Sequence, residues 1–190
     1  VSTPGSPVML TAANNQARKT RWDWQLVNVN GLWAGVNTAV PNILLREGFE
    51  SGIIPAFEGY DSIAMEIAYG KQRSRADGVL TGSDGTMFVE AKNVTLVKDK
   101  CALFPDAVTV RGRKHLKELA VMVREGHRAA MFFLSQRMDA ECMGIAEHID
   151  PEYAAAMRDA LEQGVVVIAW RARVTLKGIF LDRELPFVFR

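Results

Sequence analysis

The stretch from Ser74 to Lys92 reads SRADGVLTGSDGTMFVEAK, and its reading decides the fold. Two strands, 76–81 and 86–92, flank the turn-forming cluster Gly82-Ser83-Asp84-Gly85, whose residue types tolerate positive φ. Closing the turn symmetrically pairs Thr81 with Thr86 and then sets Asp77 opposite Glu90 and Arg75 opposite Lys92. Directly opposed side chains lie about 4.5–5.5 Å apart at Cβ, where two carboxylates repel. A bound cation turns that penalty into a binding site. Glu90 and Lys92 are two residues apart and share a strand face. Two acids and a lysine therefore converge on one point.

An acid and a lysine on one strand are more often solvated polar groups than a site. Here Phe88 shares their face, and Met87, Val89 and Ala91 make the opposite face apolar. A strand apolar on both faces is covered on both sides. Buried acids then need partners or a metal.

The chain has 190 residues, nearly half of them hydrophobic, enough for a core and for one ordinary domain, or one domain plus part of another. It has no long apolar span, so no membrane crossing is expected, and no secretory signal is visible. Its first residue is Val1, which suggests a fragment or processed form. Cys101 and Cys142 fit no metal spacing, and two scattered cysteines suit a reducing cytoplasm. His115, His127 and His148 form no zinc pattern. The net charge of +1 hides a polarity. Lys71 to Lys117 holds ten basic residues against five acids, and Asp139 to Glu162 holds seven acids against one arginine. Excess positive charge around the hairpin suits an anionic polymer, although a mixed solvated surface looks similar.

A strand-like run at Val8 to Thr11 precedes a polar loop, AANNQARKTR, in which Arg18, Lys19 and Arg21 stand beside Trp22 and Trp24. Such clusters suit nucleic acid, and a basic loop next to core tryptophans is an equal alternative. Trp24 to Val29 reads as a strand. Asn37 to Phe49 reads as a helix with Pro41 in its first turn and Gly48 ending it. Ile63, Met65, Ile67 and Tyr69 alternate as one face of a strand, with Glu66 on the other. After the hairpin, Asp106 is expected to cap a long helix whose buried stripe is Gly112, Leu116, Leu119 and Val123. Arg111 and His115 border that stripe, and Lys114 and Lys117 face outward. Ala129 to Leu134 and Val165 to Trp170 read as buried strands, with a helix over Pro151 to Gln163 between them. Val174 to Leu181 adds an edge strand. The order implies an α/β (α+β) mixed sheet with helices on both faces.

The order α-β-β-β-α-β, with Asp on the second strand and Glu-x-Lys on the third, resembles the PD-(D/E)XK nuclease-like superfamily, with Ala76 in place of its proline. The segments SRADGVL, FVEAKNVTL, FPDAVTVRGRKHLKEL and HIDPEY narrow the resemblance to the sugar fermentation stimulation protein A (SfsA) family, over about Thr3 to Phe187. That resemblance implies an amino-terminal OB-like β-barrel. TPGSPVML and QARKTRWDW look like its end, so residues 1–30 are expected to be a barrel remnant and 31–190 the nuclease-like domain. Gly78 stands where family members usually carry a bulky apolar residue.

The resemblance further implies a bacterial DNA-binding protein with a role in sugar (maltose) metabolism, and a nuclease-like site of unestablished substrate. Asp77, Glu90 and Lys92 match the superfamily's catalytic positions. Asp77 and Glu90 would bind Mg²⁺ or Mn²⁺, with Glu47, or Glu66 as second choice, as an additional acid. Lys114 or His115 matches the polar position on the following helix. Arg18, Lys19, Arg21, Arg73, Arg75, Arg111, Lys114 and His115 are the expected nucleic-acid contacts. Two readings stand: a Mg²⁺-dependent phosphodiesterase, or a non-catalytic DNA-binding regulator. DNA against RNA, and the oligomeric state, stay open.

Overall fold

The computed structural model describes residues 3–13, 19–70 and 74–189. The chain opens on three antiparallel strands, β1 (Val8–Ala12), β2 (Trp22–Val29) and β3 (Leu32–Gly35), which form a sheet of their own. This sheet runs past the boundary expected at residue 30. It joins the rest of the molecule through main chain, with Gly35 N donating to Gln136 O at 3.0 Å. Gln136 Nε2 adds bonds to Asn37 O and to Asn93 Oδ1.

Helix α1 (Val40–Glu50) follows, with Pro41 in its first turn. Gly48 does not end it. Gly48 is buried inside the helix, where a Cβ would stand 2.5 Å from Ile54 Cδ1 and 2.8 Å from Leu181 Cδ1. The strands β4 (Tyr60–Tyr69), β5 (Ser74–Gly82) and β6 (Gly85–Val94) make the expected meander. Short strands β7 (Val97–Lys98) and β8 (Cys101–Phe104) lead to α2 (Val110–Arg124). The cap of α2 is Thr109, whose Oγ1 accepts from Gly112 N at 3.0 Å, and not Asp106. After α2 come β9 (Arg128–Ser135), β10 (Cys142–Ile145), α3 (Pro151–Glu162), β11 (Val166–Thr175), β12 (Gly178–Glu184) and β13 (Phe187–Phe189). No helix among the described residues is long and apolar enough to cross a membrane.

The main sheet has six strands in the order β12-β11-β9-β6-β5-β4, parallel at β11–β9–β6 and antiparallel elsewhere. Alternation along β9 shows its two covered faces. Ala130, Phe132 and Leu134 pack with Leu44 and Leu45 of α1, and Ala129, Met131 and Phe133 pack with Leu116 and Leu119 of α2. A second sheet, β13-β10-β8-β7, packs on the α2 face. Its short strands lack any long apolar period, so the sequence does not announce it. Cys101 and Cys142 are register partners on β8 and β10 and form a disulfide. They are neighbours in space and not scattered, which removes the premise for expecting a reducing compartment.

One strand face differs from expectation. Ile63 and Met65 pack on the α1 side, whereas Tyr69 packs on the α2 side against Phe88. On β5, Leu80 faces α1 and Ala76 faces α2. Even spacing within a strand should keep each set on one face. The rungs Met65↔Gly78 and Ile67↔Ala76 bracket the switch, so it lies at Glu66 and Asp77. Glu66 takes φ 55°, the left-handed region that a β-strand residue seldom enters. Both strands exchange faces together at that rung.

Candidate active site

The hairpin register is as the turn arithmetic requires, from Gly82↔Gly85 through Thr81↔Thr86 to Gly78↔Val89. It stops there. Asp77 and Glu90 are not a ladder pair, nor are Arg75 and Lys92. In place of a rung, Asp77 Oδ2 accepts the main-chain N–H of Ala91 at 2.7 Å. A carboxylate side chain substitutes for a backbone carbonyl, and the two strands part at that point. The other oxygen, Oδ1, accepts from Asn42 Nδ2 of α1 at 3.0 Å. Burial and then the nearby Glu90 push the Asp77 carboxyl up, against the pull of these two bonds and of Lys92.

Glu90 sits mid-sheet beside β9, paired with Met131, and is 2% exposed. Its Oε1 accepts from Lys92 Nζ at 2.5 Å and from His115 Nδ1 of α2. Burial by itself would raise this carboxyl. The His115 bond and the Lys92 charge outweigh it and hold Glu90 below the usual carboxylate range. Oε2 is buried and has no hydrogen-bond partner. His115 is buried in turn, and its Nε2 accepts from Arg111 Nε at 3.2 Å. Tyr69, stacked on Phe88, has its phenol pushed up by burial and then by Glu90.

Asp77, Glu90 and Lys92 are thus brought together. Glu47, on α1, lines one cavity with Asn42, Met65 and Glu66 and another, of about 330 Å³, with Leu10, Thr11 and Lys177. Glu66 points outward and pairs with Arg75 at 3.2 Å. Among the described residues no group of three or more acids, histidines or cysteines is placed to hold a metal ion. His115, an expected nucleic-acid contact, is inside the protein as a partner of Glu90. Lys114 is half-buried and has an interaction partner within the protein. Lys19, Arg21, Arg75 and Arg111 are exposed, and Arg18 and Arg73 lie outside the described residues. The residue that sequence reasoning missed is Asn42. A polar side chain after Pro41 carries no periodic signal, and only the packing of α1 on β5 gives it a role.

The fold and the site define a mixed-sheet domain that gathers two carboxylates and a lysine where neighbouring strands part, with a small β-sheet ahead of it. Residues 39–178 match the model of the sugar fermentation stimulation protein RE domain, and residues 1–36 match that of the SfsA N-terminal OB domain. The chain belongs to the sugar fermentation stimulation protein family. It is 51% identical to a sugar fermentation stimulation protein homolog from Pelobacter propionicus, covering 98% of this chain and 81% of that protein. Identity to the homolog from Geobacter metallireducens is 49%, over 97% and 80% of the two chains. The solved structure of Pyrococcus furiosus SfsA in complex with Ca²⁺ superposes with a TM-score of 0.89 at 29% identity, over 98% of this chain and 79% of that one.

Proposed function

We propose that this protein binds DNA and cleaves phosphodiester bonds at Asp77, Glu90 and Lys92 with a divalent cation, in the manner of PD-(D/E)XK nucleases. The observation that carries the reading is the buried, tethered Glu90 carboxylate, with one oxygen free of partners beside Asp77 and Lys92. The large majority of buried side-chain polar atoms have a partner; Glu118 is a second buried acid with unpartnered oxygens, and what sets Glu90 apart is the company of Asp77 and Lys92.

The donor set fits a hard cation. It is made of carboxylate oxygen, one buried oxygen is unclaimed, and Mg²⁺ is commonly held by one or two carboxylates together with water and substrate phosphate. The Ca²⁺ complex of the Pyrococcus protein supports the same preference. Asp77 and Glu90 would hold the ion, which supplies Lewis acidity toward phosphate and a more acidic bound water. Asn42 and the Ala91 N–H orient Asp77. His115 fixes one oxygen of Glu90 and leaves the other to act. Lys92, partly exposed and anchored on Glu90, presents an ammonium to charge that develops on the phosphate.

Full-length protein with Mg²⁺ or Mn²⁺ is expected to cleave plasmid or single-stranded DNA. Lys92→Ala should lower the rate by roughly 10²–10³-fold, and Asp77→Ala should abolish it. Absence of cleavage across varied DNA and RNA substrates and both metals would sink the nuclease reading.

A second reading is favoured by the first sheet. Trp22 and Trp24 are exposed at 59% and 41%, next to exposed Arg21 and Lys19. Such a surface stacks bases and meets phosphates without chemistry. A non-catalytic regulator of sugar metabolism would bind DNA in a salt-sensitive way. It would keep that binding in Glu90→Gln and lose it in Trp22→Ala with Arg21→Ala.

A further inference from the structure

The turn end of β4 and β5 holds a second set of buried oxygens. Glu118 lies on α2 one turn beyond His115 and is 5% exposed. Both of its carboxylate oxygens are buried without a hydrogen-bond partner. It abuts Gly70, where a Cβ would stand 3.1 Å from Oε1. Tyr69 and Ser74 are register partners on the two strands beside that turn. Opposed residues of a ladder share a face, and Tyr69 packs on the α2 side. Its phenol is pushed up by burial, then by Glu90 and then by Glu118, so it stands in the field of both acids. The hydroxyls of Tyr69 and Ser74 are buried too, and neither has a partner. One carboxylate and two hydroxyls thus converge between α2 and the sheet and do not bond to one another.

We propose that Glu118, Tyr69 and Ser74 hold a dehydrated monovalent cation, Na⁺ or K⁺, at a site of its own beside that of the divalent ion. An ionised carboxylate taken out of water needs a countercharge. A bridging water supplies hydrogen bonds and no charge. Hydroxyl oxygens keep lone pairs that face a cation, and a set of donors made only of oxygen suits a hard one. Mg²⁺ usually keeps several of its waters, whereas residues at 5–7% exposure suit an ion stripped of them. One carboxylate balances one charge. The ion fastens the end of the β4–β5 hairpin to α2, the helix that also carries His115 to Glu90.

Thermal melting in the presence of a chelator, at an ionic strength fixed with choline chloride, tests the site. K⁺ or Na⁺ should raise the wild-type melting temperature by about 3–5 °C for each tenfold of concentration above Kd. The ion that acts at the lower concentration is the resident one. Glu118→Gln removes an unpaired buried charge. It should melt at or above wild type in choline chloride and show no rise with either ion. Ser74→Ala keeps the acid and loses one oxygen, so its rise should begin at a higher concentration. Asp77→Ala, which removes a ligand of the divalent ion, should keep the wild-type rise, so the outcome does not depend on the nuclease reading. Equal melting in all three chlorides would overturn the site, and so would a Glu118→Gln protein that responds as wild type does. Should Glu118→Gln fail to fold, a Ser74→Ala protein with the wild-type concentration dependence would overturn it.

Discussion

Asn42 shows how a single residue can set the character of the site. It gives Asp77 a neutral donor at 3.0 Å, where an acid would have added a third negative charge beside Asp77 and Glu90. Asn42→Asp is expected to lower the melting temperature of the metal-free protein. Mn²⁺ should restore more of that loss than it adds to wild type, as measured by thermal melting with and without the ion. Equal stabilisation of both proteins would show that position 42 is not directed at the ion. The approach of Asp77 to Glu90 and Lys92 was legible from spacing, but the direct ladder pairing expected of Asp77 with Glu90 does not form: the register holds only to Gly78↔Val89, and Asp77 then accepts the Ala91 N–H. Asn42 and the inward role of His115 were not legible. Both depend on how a helix lies on the sheet, and one sequence does not carry crossing angles. Glu47 was offered as the additional acid from its place on the helix before the sheet, and it shares a cavity with Asn42.

At the scale of elements, two junctions hold the site's frame. Asp150 caps α3 through Tyr153 N at 2.9 Å and also accepts from Thr109 N, at the cap of α2, at 2.8 Å. Arg113 approaches the same carboxylate at 3.5 Å. Burial works against its charge, yet these donors and Arg113 hold Asp150 below the ordinary carboxylate range. A lowered folded pKa contributes stability above the unfolded value, near 3.9, and loses it as pH falls through the folded value. Asp150→Ala should therefore cost about 1–2 kcal/mol at pH 7. The gap from wild type should narrow only as the pH falls below about 4, when urea unfolding is followed as a function of pH. A gap of constant size down to pH 2 would remove the ionised carboxylate from the account. The second junction is Gly82. Its residue type marked a turn, but its need is a close approach: a Cβ there would stand 2.4 Å from Gly59 O and 2.5 Å from Tyr60 Cα. Backbone cannot swing aside as a side-chain tip can. Gly82→Ala should destabilise by about 1–3 kcal/mol in urea unfolding, and a neutral result would mean that β4 slides freely there.

For the whole molecule, the disulfide fastens the small sheet to itself across 41 residues of chain that include all of α2. Closing a loop of that length restricts the unfolded chain by about 4 kcal/mol in the chain-entropy account. Reduction, or Cys101→Ala with Cys142→Ala, is expected to lower the melting temperature without touching Asp77 or Glu90. A melting temperature indifferent to reductant would show that the pair carries little of the stability. The main sheet and its helices were readable because each buries one long periodic face. The second sheet was not, because strands of two to four residues are held by their neighbours and not by their own pattern. The joint face exchange at Glu66 and Asp77 has a consequence beyond this chain. Along β4 the apolar beat of Ile63, Met65, Ile67 and Tyr69 keeps one phase in the sequence while the side chains change sides of the sheet. The exchange is therefore silent as text. A strand can hand its apolar residues from one layer to the other with its period unbroken when a residue between them turns into the left-handed region, as Glu66 does.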